Sequence, residues 1–340
     1  MQKQYVRQGN IKRLLHYVIC HCEVASTAAI SSGKTRLLRV TRNDNLFLLH
    51  NQQGIALIVT LLALVMITAM VIEFSYGVYT GTNNLYNWRD SQRLSVMAQS
   101  GMNVIARLMK DSAAIEEYKT QSEIEMPIEN PFEDFNGTIT VRIEDENSKF
   151  NVNSLVFSNG DQNTAVYNAF QRLLEHLSLD KKIADRAVDW IDQNNEAMLP
   201  DSEVSAKNAA LNSIDELLLI NGISRKDYDT LLPYVTVGKE RENLIININS
   251  AKKPIIMCLA DGIDERFAQQ VIDHRRSTPF ESAGELDGII GSGKISAQIS
   301  ITFKGTIFSV KSTASSDGVK RIIETVIDTY NKNTQYWKEY

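Results

Sequence analysis

The chain is short of cysteine, proline and glycine and, beyond its first 54 residues, of positive charge. Three cysteines among 340 residues, Cys20, Cys22 and Cys258, cannot build a disulfide framework. Cys20 and Cys22 stand near His16 and His21, but no second ligand pair follows at zinc-type spacing. With 17 Gly and 6 Pro, 43% hydrophobic and 23% charged residues, the composition is that of a folded protein rather than a disordered or repetitive one, and the length suits about two domains. No Gly-x-Ser-x-Gly elbow or phosphate loop is present, and His176 and His274 are isolated, so the chain reads as a non-enzyme.

Charge is unevenly placed. Residues 1–54 carry eight basic side chains (Lys3, Arg7, Lys12, Arg13, Lys34, Arg36, Arg39, Arg42) against Glu23 and Asp44, an excess of six; the total of -5 therefore leaves -11 for the rest. An acidic body has no broad attraction for nucleic-acid phosphates.

What the chain does have is one uncharged apolar run, Ile55–Ile72, whose polar side chains are Thr60 and Thr68 alone. As a helix it rises roughly 27 Å, close to the hydrocarbon thickness of a bilayer. Basic residues crowd its upstream side, whereas Glu73 follows it and no basic residue appears before Arg89. The positive-inside rule then places the N-terminus in the cytoplasm and the body outside. A cleavable secretory signal is the alternative, but the run is long for that role and Ser75-Tyr76-Gly77 is a poor cleavage site.

Asn51-Gln52-Gln53-Gly54 stands immediately before the run, and the pattern of a Gly, an apolar helix and an amphipathic continuation resembles type IV prepilins and pseudopilins. The resemblance implies cleavage by a prepilin peptidase after Gly54, with methylation, so that the mature chain begins at Ile55 with its anchor intact. A Gly suits such a cut because the scissile backbone must be extended, outside the helix. Members usually carry Glu at mature position five; here that position is Val59, as in the K-type minor pseudopilin. Without that docking carboxylate, a subunit suits the tip better than the shaft. The 54-residue leader exceeds the family's short basic one, either as an over-extended start or as a cytoplasmic extension.

Past the run, Leu94, Met97, Gly101, Ile105 and Leu108 recur at three- and four-residue spacing among Arg93, Gln99 and Asn103, which predicts an amphipathic assembly helix. Pro127 and Pro131 end the helical region, and residues 138–143 alternate as a strand. Ile299, Ile301 and Phe303 begin three further predicted strands, the others covering Ile307–Thr313 and about Val319–Thr329. The reading is α+β: an N-terminal transmembrane and amphipathic helix packed on an antiparallel pilin-like sheet, interrupted by an inserted all-α domain with helix-hairpin-helix or SAM-like units. Its parts are a leader (1–54), a transmembrane helix (55–72), an amphipathic helix with the first strands (73–155), the insertion (156–290) and C-terminal strands completing the sheet (291–340). The landmarks Asn151-Val152-Asn153-Ser154-Leu155, Asp189-Trp190-Ile191-Asp192, Leu232-Pro233-Tyr234-Val235 and Ile248-Asn249-Ser250-Ala251 occur in the order of the K-type family. The resemblance implies a single-pass inner-membrane protein with a periplasmic body, which caps the pseudopilus with two other minor pseudopilins, the I-type and J-type, and supports assembly and export.

Two patterns inside the insertion need weighing. Asn221-Gly222-Ile223-Ser224 and Asp261-Gly262-Ile263-Asp264 resemble helix-hairpin-helix turns, which in membrane-tethered competence proteins bind DNA. Here Ser224 and Asp264 replace the second Gly, and Asp261, Asp264 and Glu265 would repel a phosphate, so no nucleic-acid partner is expected. The second pattern is Asp189, Asp192, Asn194, Glu196, Asp201 and Glu203, six oxygen-bearing side chains around an irregular turn. They are the chemistry of a calcium loop, although the spacing is not that of an EF-hand; no other cofactor is expected.

Overall fold

The computed structural model describes residues 52–110, 119–204, 206–291, 293–331 and 333–340. Most of the leader, Asn51 included, lies outside the described residues. The chain divides after Tyr79 into two units.

Helix α1 (Gln52–Lys110) supplies the described part of the first unit. It contains a stretch long and apolar enough to cross a membrane, with mean hydropathy 3.0 and none of it buried within the protein. Thr60 and Thr68 donate their hydroxyls to the carbonyls of Leu57 and Val65, each at 2.9 Å. Their polarity is thus satisfied inside the helix, as lipid demands.

In the second unit, α1 is followed by β1 (Glu123–Ile128), β2 (Thr138–Asp145), β3 (Phe150–Asn151), α2 (Thr164–His176), α3 (Lys182–Ile191), α4 (Arg225–Leu231), β4 (Val235–Thr236) and β5 (Leu244–Asn247). Then come α5 (Lys253–Cys258), α6 (Glu265–Ser277), α7 (Ala283–Ile290), β6 (Ile299–Thr302), β7 (Ile307–Ser316), β8 (Val319–Asp328) and β9 (Asn333–Glu339).

Five of these strands form an antiparallel sheet in the order β1-β2-β7-β8-β9. The alternation of β2 turns Ile139, Val141 and Ile143 inward, where they meet Leu94, Met97, Met102 and Ile105 of α1 and Phe308, Val310, Ala314 and Ile323 of the C-terminal strands. Gly101 is where helix and sheet come closest. A Cβ there would lie 2.6 Å from Ser312 Oγ and 2.9 Å from Ile139 Cγ2. Pro127, expected to close a helical region, instead lies in β1. An edge strand tolerates Pro because one of its two sides needs no ladder hydrogen bonds.

The insertion corrects two further expectations. Ile299–Thr302 does not join the large sheet but runs parallel to β5, so the C-terminal part of that sheet begins at Ile307 rather than in the segment from 291. Period-two alternation reports a buried face and is silent about the partner strand. The insertion is also not all-α, because β3 pairs parallel with β4 and β5 with β6.

These two pairs head two modules built alike. In the first, Asn153 Nδ2 donates to the carbonyls of Leu211 and Gly238, both at 3.0 Å, and its Oδ1 accepts from Leu211 N at 2.8 Å. In the second, Asn249 Nδ2 donates to Phe280 O at 2.9 Å and Phe303 O at 2.8 Å, and its Oδ1 accepts from Phe280 N at 2.8 Å. Each bracketed residue opens a matching stretch, Leu-Asn-Ser-Ile-Asp-Glu-Leu (211–217) and Phe-Glu-Ser-Ala-Gly-Glu-Leu (280–286). In both, the glutamate accepts from the backbone four residues earlier: Asn212 N to Glu216 and Glu281 N to Glu285.

Sheet and insertion are joined at a buried polar knot. Asp145, 1% exposed at the end of β2, accepts from Asn247 Nδ2 at 2.7 Å, Ser250 Oγ at 2.6 Å and Asn147 N at 2.9 Å. Burial pushes its carboxyl up to about 6 against the opposing pull of these donors. Asn147 Oδ1 in turn accepts from Thr306 N and Ile307 N at the head of β7. Gly305 passes so close that a Cβ would stand 2.7 Å from the Asp145 carboxyl carbon.

Candidate functional site

Gly54, Ile55 and Val59 all lie on α1, with Ile55 and Val59 exposed and nothing within 4 Å of a Cβ at Gly54. The expected extended backbone at Gly54 is not observed, since the helix begins at Gln52. Cleavage at that bond would require unwinding about one turn, which a glycine makes easier by roughly 0.5–1 kcal/mol relative to alanine.

The predicted assembly residues divide. Leu94, Met97 and Ile105 are fully buried and Gly101 packs directly on the sheet, while Leu108 remains 41% exposed. Four of the five therefore hold the chain's own sheet. The free face of this half of α1 instead carries Leu85, Trp88 and Val96, exposed by 68%, 64% and 48%. The signal was available: Leu85 and Val96 are separated by three helical turns and so share a face.

The acidic loop starts from an unfavourable helix end. Ile183, Ala187, Val188 and Ile191 bury the inner face of α3, which carries Asp189 into its last turn with Asp192 as its C-cap and no basic residue nearby in that turn. Carboxylates at a C-terminus oppose the helix dipole. Asp189 is completely buried, and its Oδ2 accepts from Met198 N at 2.9 Å and from the Ser202 hydroxyl. Burial, then Glu203 and Asp189, pushes the Asp192 carboxyl up to about 6; burial and Asp189 likewise raise Glu203. Among the described residues, Asp189 Oδ1, Asp192 Oδ1, Glu203 Oε1 and Asn208 Oδ1 are buried without a hydrogen-bond partner. Four such acceptors in one loop are costly, and oxygens of this kind are the ligands that a hard cation takes. Among the described residues no three acidic, cysteine or histidine side chains are already gathered into a ready-made metal site.

The other predicted members have other duties. Asn194 donates to Asp192 Oδ2 at 2.8 Å and accepts from Glu196 N at 2.6 Å, shaping the turn, while Glu196 is exposed. Asp201 pairs with Arg186 at 3.3 Å and accepts from Asn221 Nδ2 at 2.9 Å. Asn208, which the sequence reading passed over, has φ +51° and donates to Asn194 O at 3.3 Å and Asn195 Oδ1 at 3.0 Å. Its signal was weak, since Asn merely tolerates that conformation better than most residues.

Both hairpins form. Gly222 and Gly262 have φ of +85° and +79°, and Ile223 and Ile263 are buried beneath them. Ser224 accepts from Asp227 N at 3.2 Å and Asp264 from Phe267 N at 3.0 Å. A side chain of the chain itself thus occupies, at each hairpin, a helix N-terminal donor of the kind a phosphate would use.

Two family models, both described as type II secretion system (T2SS), protein K, match residues 148–240 and 246–302, the spans of the two modules. The Type II secretion system protein K of Pseudomonas aeruginosa is 31% identical over 172 residues, which cover 46% of this chain and half the length of that relative. Over these two spans the chain resembles the type II secretion system protein K family. Another protein K, from Klebsiella pneumoniae, is 27% identical over 258 residues, covering 68% of this chain and 78% of that one. The fold is shared with one chain of the crystal structure of the GspK-GspI-GspJ complex from the enterotoxigenic Escherichia coli type 2 secretion system. It matches at TM-score 0.54 and 17% identity over 76% of this chain and 96% of its own length.

Proposed function

We propose that the chain is a minor pseudopilin of the protein K family, anchored in the inner membrane by Ile55–Ile72, that caps the type II secretion pseudopilus and supports its assembly and protein export. The observation that carries the reading is α1, whose apolar N-terminal stretch is unburied and whose later half is seated on an antiparallel sheet through Gly101. The body is periplasmic and the leader cytoplasmic, and a prepilin peptidase cuts after Gly54. I-type and J-type pseudopilins pack on the outer face of α1 around Leu85, Trp88 and Val96, where apolar side chains are already free of the sheet. The two modules add bulk above the sheet and leave no room for a further subunit.

Processing is tested by intact mass and N-terminal analysis of protein from its native membrane. A terminus at Ile55 is expected, and one at Met1 defeats the reading. For the partners, Leu85→Glu with Trp88→Glu should release both pseudopilins on co-purification while the purified body keeps its unfolding midpoint; undiminished capture would contradict the assignment.

The acidic loop of this family member binds calcium, with Asp189, Asp192, Glu203 and Asn208 as its side-chain ligands. Four buried oxygens without partners support this, together with a helix end that carries no cation of its own. Calorimetric titration with calcium should give one saturable event that Asp192→Asn weakens at least tenfold; an absence of heat and of any stabilisation would remove the site.

A further inference from the structure

Asp201 has the residue type of a ligand but the wrong surroundings. It lies in the acidic loop, yet both its oxygens are engaged away from the carboxylates: one with Arg186 Nη2 at 3.3 Å, the other with Asn221 Nδ2 at 2.9 Å. Arg186 projects from α3, and its side chain is 15% exposed. Its second terminal nitrogen is buried and, among the described residues, has no partner. The hairpin backbone lies directly against the guanidinium, for a Cβ at Gly222 would stand 2.6 Å from Arg186 Nε. Gly222 meets both requirements of the turn, its φ of +85° and this close approach.

The neighbouring Ser202 bonds Asp189, the fully buried carboxylate of the cation loop. Adjacent residues thus face opposite ways, Ser202 toward the acidic cluster and Asp201 toward the hairpin. Anything that fixes one fixes the backbone of the other.

We propose that Asp201 is a positioning residue which carries the order of the cation-bound loop to the first hairpin through Arg186 and Asn221. The proposal rests on the cation reading above. A cation held by Asp189, Asp192 and Glu203 would fix Ser202 through Asp189, and with it Asp201 in its pairing with Arg186. The Ile220–Ser224 turn, whose Asn221 side chain donates to Asp201, stiffens in consequence. The hairpin becomes responsive to a cation that it does not touch.

Hydrogen exchange on the whole chain, in calcium and in chelator, reads both segments at once. At calcium near one hundred times its Kd, amides of 192–204 and of Ile223 should exchange about 100-fold more slowly in the wild type. Asn221→Ala removes the far end of the bracket without uncovering the guanidinium, and should keep the loop response while abolishing that of Ile223. Asp201→Asn should do the same. Equal slowing of Ile223 in the two variants overturns the proposal, as does a wild type whose loop responds and whose hairpin does not; this second result leaves the cation site standing. If neither segment responds in the wild type, the cation reading fails and takes this proposal with it.

Discussion

The two modules of the insertion solve the same problem at one helix end with opposite charges. Both α3 and α6 run toward the stretch bracketed by an asparagine, at Leu211 in one and Phe280 in the other. Helix α6 ends in His274, Arg275 and Arg276, and Arg275 donates to Ile248 O at 2.6 Å. Its charge complements the dipole from within the chain. Helix α3 ends with Asp189 and Asp192 and has no basic residue in its last turn. The bracketing asparagine lies 58 residues from its partner in the first module and 31 in the second, and the acidic loop falls within that extra length. One module carries its counter-charge as arginine; the other has none of its own in that turn.

The comparison can be broken most sharply at its common element. Asn153→Ala and Asn249→Ala each take the side-chain partner from three backbone groups, two buried and one half-buried, and each should cost about 3–5 kcal/mol in urea unfolding. Markedly unequal losses would mean that the modules are alike in outline only. Chelation comes next: at calcium one hundred times its Kd, removing the ion should destabilise the chain by about 2.7 kcal/mol, and local exchange should assign the loss to the first module.

A pH series sharpens the contrast further. Asp192, with its folded pKa raised to about 6 from 3.8, binds its proton more tightly folded than unfolded. Without calcium, the loop's stability should rise as pH falls from above 6 toward 4, and above 6 the charged form carries its full penalty. Calcium must displace that proton, so affinity should drop by about tenfold per pH unit below 6. A pH-independent affinity between 5 and 7 would exclude Asp192 as a ligand. The smallest effect belongs to the hairpin caps: Ser224→Ala and Asp264→Ala should each cost about 1 kcal/mol in thermal unfolding.

Legibility followed periodicity. The apolar run Ile55–Ile72 shows by its length and uniformity, and the sheet-facing stripe of α1 and strands β2, β7 and β8 by periods of 3.6 or 2; each is helix or strand where its pattern predicts it. Strand β1 was hidden by Pro127, which argues against a central strand but not against an edge. β6 was visible as a strand and misassigned to a sheet, because its partner is chosen by Leu244 and Ile246, more than fifty residues away. In the loop, counting oxygens singled out Asp189, Asp192 and Glu203, which hold buried unbonded oxygens, and it could not foresee that Arg186 and Asn221 reach Asp201 from elsewhere. The outer face of α1 was overlooked for a simpler reason: the strongest stripe marked the chain's own core.

The knot around Asp145 places the entry and exit of roughly 160 residues of insertion side by side, at the end of β2 and the start of β7. Strands β2 and β7 are neighbours in the sheet, so the whole appendage hangs from a single point of suspension. A load applied to the appendage reaches the sheet as tension along two adjoining strands, shared across the ladder between them, and does not prise the helix off its seat.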